Sequence, residues 1–147
     1  MYSDNQFKFV ALLNTKLPLH QLLNAYGHAV GGLVSHCPDS LDMKFLRYET
    51  CEGTAHSWIS RYPIIELAAN SSQIRRFKLE IRPLVDAGEV AYNDFVGTMI
   101  GNCAEEQLER TRACPEHDLE FFVAVVFGGA ALIGPYTKRF SVLKTLG

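Results

Sequence analysis

The chain has 147 residues, 48% of them hydrophobic, which suits one domain, 1–147, able to bury a core without disulfide staples. A formal net charge of -2 gives no global attraction to nucleic acid or an anionic membrane, so a polyanion would have to meet a local patch. No run of about eighteen apolar residues occurs and the start "MYSDNQFKF" lacks a signal-peptide pattern, so a soluble, cytoplasmic protein with no membrane partner is expected.

In chain order, "FKFVALLN" is a strand over about 7–14, apolar on both faces and therefore central. Leu19, Leu22, Leu23, Tyr26, Val30, Leu33 and Val34 then recur at helical spacing over about 18–35, with Pro18 in the first turn. The opposite flank carries Asn24, Gly27, His28 and Gly31. Interior glycines cost about 1 kcal/mol relative to Ala, so close approach of another backbone is expected there. "LDMKFLRYET" reads as a strand, "CEGTAHSWISRYP" as a loop and "IIELAA" as a second strand, in which Glu66 either faces solvent or pairs with a base. Ser71 or Ser72 caps the next helix, which Pro83 bends or ends early and Gly88 stops. A short strand "EVAYND", a polar loop, a helix "CAEEQLERTR", a strong strand "LEFFVAVVFG" and a helical segment at about 130–139 complete the chain. Strands alternating with helices predict an α/β three-layer sandwich, a mixed central sheet with helices on both faces.

Cys37, Cys51, Cys103 and Cys114 stand far apart with no CxxC pair, so reduced structural thiols are expected rather than a disulfide framework or a metal site. No metal or cofactor is expected. Arg75, Arg76, Lys78 and Arg82 form the one dense basic group, and 75, 78 and 82 share a helix face. Such a face suits either a phosphate backbone or a solvated surface. Tyr92, Phe95, Phe121 and Phe122 fit strand packing better than base stacking.

Taken in order, "KFVALLNTKLPLHQLLNAYGHAVGGL", "YPIIELAANSSQIRRF", "YNDFVGTMIG" and "ERTRACPEHDLEFFVAVVFGG" resemble the family numbered two thousand among domains of unknown function. That family is similar in fold to the type 2 peptidyl-tRNA hydrolases, which cleave the ester at the 3′ end of peptidyl-tRNA. The resemblance implies that fold here. It matches the hydrolases' His-Ala pair to His28 and Ala29, and their Asp followed four residues later by Thr to Asp94 and Thr98. The hydrolases' Lys falls on Gln21, a departure, with Lys16 as a cation upstream. Thr111 is the candidate for a further Thr.

Ester hydrolysis needs a group that orients or deprotonates water and donors at the developing oxyanion. Asp94 suits the first task, with Thr98 as partner, and Asn14, Lys16, Gln21, His28 and Asn93 complete the expected pocket. Each also has a plainer reading: Asp94 as a turn or cap, His28 as packing, Asn14 as a strand-end cap. The leading expectation is a hydrolase or acyl-transfer enzyme acting on an aminoacyl-type ester or amide, from a small molecule to an aminoacyl- or peptidyl-tRNA. Its rival is a non-catalytic domain binding a small molecule or protein after loss of the hydrolase Lys. A third reading is a homodimer joined through the Gly27 and Gly31 flank.

Overall fold

The computed structural model of the chain describes residues 6–144. Strand β1 (Phe7–Asn14) is followed by helix α1 (Leu19–Ser35), a hairpin of β2 (Phe45–Glu49) and β3 (Ala55–Ser60), and β4 (Ile64–Ala69). Helix α2 (Ser71–Asp86), β5 (Val90–Val96), α3 (Ala104–Ala113), β6 (Phe121–Gly129), α4 (Ala130–Thr137) and the short β7 (Ser141–Val142) complete it. The main sheet runs β5-β6-β1-β4-β7, with β1 parallel to β4 and the other neighbours antiparallel. This is a mixed five-stranded α/β sheet.

Strand β6 is buried from Phe121 to Gly128 because helices cover both faces. On one face Leu22, Ala25, Ala29 and Leu33 of α1 pack on Phe9, Ala11, Leu13, Val123 and Val125. On the other, Ile74, Phe77 and Ile81 of α2, with Ile133 of α4, pack on Val10, Leu12, Ala124 and Val126. Alternation along β1 and β6 thus feeds two cores from single strands. Phe121 packs in the α2 core and Phe95 and Phe122 in the α1 core, as strand residues should.

Several sequence expectations change. "CEGTAHSWISRYP" contains a strand, β3, which is exposed from Ala55 to Ile59 and so shows no burial periodicity to read. Helix α1 begins at Leu19, with Pro18 in the capping position before it. Asn70, not Ser71 or Ser72, caps α2: its side chain accepts from Gln73 N and the Gln73 side chain accepts from Asn70 N, a capping box. Ser71 instead accepts from Phe121 N, at 2.9 Å. Pro83 does not end α2, which continues for one further turn to Asp86. There Gly88 at φ 73° closes the helix, with Gly88 N bonded to Val85 O and Glu89 N to Leu84 O. Glu66 accepts a hydrogen bond from the Tyr26 hydroxyl at 3.0 Å, and among the described residues it forms no ion pair with a Lys or Arg.

The glycines of α1 are reassigned too. A Cβ added at Gly27 or Gly31 would meet nothing within 4 Å, so no backbone approaches there among the described residues. The close approach is at Gly32, where the Asn93 amide sits against the helix.

Candidate functional site at the β5 edge

Strand β5 is longer than "EVAYND" and continues to Val96, with a register shift against β6 between Phe95 and Val96. Asp94 is therefore an interior strand residue, paired with Ala124, rather than a turn or cap at the strand's end. The two-residue period then sorts its neighbours. Asn93 and Phe95 turn toward α1: Asn93 Nδ2 donates to Ala29 O at 2.9 Å, and the Phe95 ring lies 5.8 Å from that of His28. Tyr92 and Asp94 turn toward α2.

On that side the Tyr92 hydroxyl donates to Asp94 Oδ2 at 2.7 Å, and Lys78 Nζ stands 3.7 Å from the same oxygen. Lys78 also meets Glu116 at 2.7 Å and lies over the Phe121 ring, 5.5 Å from its centre. The Asp94 side chain is 15% exposed. Burial raises its pKa above the ordinary carboxylate value; the Tyr92 hydrogen bond and the Lys78 charge oppose the shift, and Glu116 adds to it. The Tyr92 hydroxyl is pushed far up, first by burial and then by the Asp94 charge, and stays protonated as a donor.

Because β5 is the edge strand, a concavity of about 470 Å³ wraps around it, lined among others by Asn24, His28, Asn93, Asp94, Phe95 and Gln107. His28 and Asn93 thus join Asp94 in one cavity, from opposite faces of the strand. The other expected residues do not join them. Thr111 Oγ1 donates its single proton to Gln107 O at 2.8 Å, so Thr98 must be the donor in the 2.7 Å contact between the two hydroxyls. Arg110 also donates to Thr98 O, at 3.1 Å. Thr98, in a 3-10 turn at Gly97–Met99, therefore pins the chain after β5 onto α3 and does not bond Asp94.

Asn14 and Lys16 lie at the C-terminal end of β1, where the chain leaves toward α1 while the parallel β4 leaves toward α2. Such divergence opens a crevice, here about 380 Å³ and shared with Ser71, Arg75 and Glu120. Asn14 is buried, donates to Phe121 O at 3.0 Å and accepts from Lys16 N at 3.1 Å, so both ends of its amide are occupied. Gln21, half-buried in the first turn of α1, borders neither concavity. The expected single pocket is thus divided between the β5 edge, the α3 contact and the β1 end.

The basic face also changes. Arg75 Nη2 donates to Leu119 O and its guanidinium lies over Phe121, Lys78 serves Asp94 and Glu116, and of these three face residues Arg82 alone lies outward, 3.8 Å from Asp86, while Arg76 is exposed on the neighbouring flank beside Glu80. Two of the three cations are turned inward, which leaves little of a phosphate-binding face. Lys78, Tyr92 and Glu116 are the residues that sequence reasoning missed at Asp94. Tyr92 was detectable, two residues before Asp94 on a strand; Lys78 and Glu116 arrive only through tertiary packing. Among the described residues, no three His, Cys, Asp or Glu side chains converge to hold a metal ion, and no helix is long and apolar enough to cross a membrane.

Residues 7–144 match the family described as "Protein of unknown function (DUF2000)". The chain belongs to this family. A solved structure of a protein of unknown function, Atu0240 from Agrobacterium tumefaciens strain C58, is similar in fold, with a TM-score of 0.76 at 14% identity over 96% of this chain and 100% of that one. No curated protein matches the chain. The fold is thus shared with a second protein across nearly the whole chain.

Proposed function

We propose that this DUF2000 domain is a hydrolase or acyl-transfer enzyme acting on an aminoacyl-type ester or amide at the β5 edge. The observation that carries the proposal is Asp94: a mostly buried carboxyl with a raised pKa, bonded to Tyr92, beside Lys78, and lining an open cavity. Perturbed carboxyls in clefts are where general bases are found. The resemblance to peptidyl-tRNA hydrolases, carried by the Asp94 to Thr98 spacing, supports the same reaction class.

In the proposed step Asp94 takes a proton from water as the water oxygen bonds to the acyl carbon. The bond to the leaving oxygen or nitrogen then breaks, and that atom receives the proton. Lys78 favours the ionised carboxylate that this step requires, the electrostatic task for which Gln21 has no charge. The donors that line the cavity for the developing oxyanion are the side-chain amide of Asn24 and the second amide protons of Asn93 and Gln107, whose first protons go to Ala29 O and Gly101 O.

The test is release of amino acid or peptide from aminoacyl- and peptidyl-tRNA and from small aminoacyl esters. Asp94→Asn is expected to lower the rate by about 10²–10⁴-fold, the usual contribution of a general base. An unchanged rate in Asp94→Asn removes the assignment.

A second reading, a small-molecule-binding domain without turnover, is favoured by the neutral Gln21 and by the dispersal of Thr98, Asn14 and Lys16 away from Asp94. Saturable binding with no product release would select it, and a gain of hydrolysis in Gln21→Lys would argue against it.

A further inference from the structure

Strands β2 and β3 form a two-stranded sheet of their own, apart from the main sheet. Phe45 and Ser60, at the base of the hairpin, are its points of burial: Phe45 packs against the α1 core and Ser60 is buried. Beyond them every residue from Leu46 to Ile59 is exposed. A lone two-stranded hairpin is marginally stable in water. This one also exposes large apolar side chains, Leu46 at 46%, Tyr48 at 48%, Trp58 at 64% and Ile59 at 43%.

The two edges differ in chemistry. Strand β2 carries Arg47 and Glu49, ion-paired at 3.1 Å, the kind of charge that guards a strand edge. Strand β3, "AHSWIS", has no Asp, Glu, Lys, Arg or Pro, and among the described residues no strand other than β2 pairs with it. We propose that the hairpin is a dimerisation arm through which two copies of this chain pair, β3 against β3, antiparallel across a twofold axis.

A second copy fits better than a charged partner, because β3 has no charge to complement and a strand meeting its own copy about a twofold is self-complementary. Adjacent strands lie about 4.8 Å apart, so each Trp58 would gain side chains of the partner's β3 as lateral neighbours on its face of one four-stranded sheet, covering the flank of the ring that is open in the single chain. The arm, residues 45–60, provides sixteen residues a side, fewer than the roughly 20–30 of a standard interface. The dimer is therefore expected to dissociate on dilution.

Trp58 is the only tryptophan in the chain and reports on the contact directly. Sedimentation analysis of the full chain across a concentration series is expected to show a mass rising from 16.4 kDa toward twice that value. Over the same range Trp58 emission should shift to the blue and acrylamide quenching should fall severalfold. Ser57→Lys, which adds a charge to the edge, should hold the mass at 16.4 kDa with an exposed-tryptophan spectrum and unchanged far-UV circular dichroism. If that variant loses its circular dichroism, His56→Lys decides in its place. Leu23→Glu on α1 should leave the dimer intact. A mass of 16.4 kDa at every concentration, a dimer that survives the folded edge variant, or one dissolved by Leu23→Glu would each overturn the proposal.

Discussion

Three glycines in α1 should respond oppositely to the same substitution. Gly27→Ala and Gly31→Ala add a methyl to open space, since nothing lies within 4 Å of the new Cβ. Each should stabilise the protein by about 0.8–1.0 kcal/mol, the helix preference for Ala over Gly, and raise the thermal midpoint by about 2–4 °C. At Gly32 the same methyl runs into Asn93 Nδ2, with Asn93 Cγ 3.4 Å away, and the amide is held by its 2.9 Å bond to Ala29 O. Overpacking costs about 1–3 kcal/mol and the lost hydrogen bond about 0.5–1.5 kcal/mol, against a helix gain of about 1 kcal/mol. Gly32→Ala should therefore destabilise by about 0.5–3.5 kcal/mol. Urea unfolding of the three single variants, and of Gly32→Ala combined with Asn93→Ala, measures this directly. The double variant should recover the helix gain, so that the two changes are non-additive. If Gly32→Ala stabilises as much as Gly31→Ala, or if removing the Asn93 amide brings no relief, the packing of β5 against α1 derived above is wrong.

Asn14→Ala leaves the Phe121 carbonyl and the Lys16 N–H without their partner and should cost about 1–3 kcal/mol, read as a lower urea midpoint at unchanged slope. Phe77→Ala opens a cavity in the fully buried core beneath α2 and should cost about 3–5 kcal/mol by the same measurement. Asp94 supplies a pH test. Its folded pKa is raised above the ordinary 3.8, so the folded state holds this proton more tightly than the unfolded chain. The stability it contributes is complete below the unfolded value and declines as pH rises through the raised one. Relative to Asp94→Asn, which lacks this titration, the wild type should lose stability with rising pH across that window; a gain would refute the burial argument.

The sequence by itself determined the parts of this protein in which a local pattern is enough. Strand β1 is apolar on both faces and so must be central, and strands alternating with helices imply a mixed sheet covered on both faces; the two-residue fifth strand, β7, is too short to read, and "LDMKFLRYET" belongs to the separate hairpin. The end of α2 was equally legible, because Gly88 supplies the left-handed residue that its closing hydrogen bonds require. The site was legible only as a set of residue types. The spacing of Asp94 and Thr98 fixes their separation along the chain but not their directions: the chain stays extended through Val96, so Asp94 faces α2 while Thr98 turns to Thr111. Strand β3 escaped notice because a strand exposed at nearly every residue has no burial alternation to betray it. Which charge meets Asp94 was also a tertiary decision. Lys78 stands on a helix sixteen positions earlier, in a basic cluster that looks solvated in sequence, and only the packing of α2 over Phe121 turns it inward to the carboxylate. Periodicity within one element specifies a face, whereas the partner across that face is chosen by which elements the sheet order brings together.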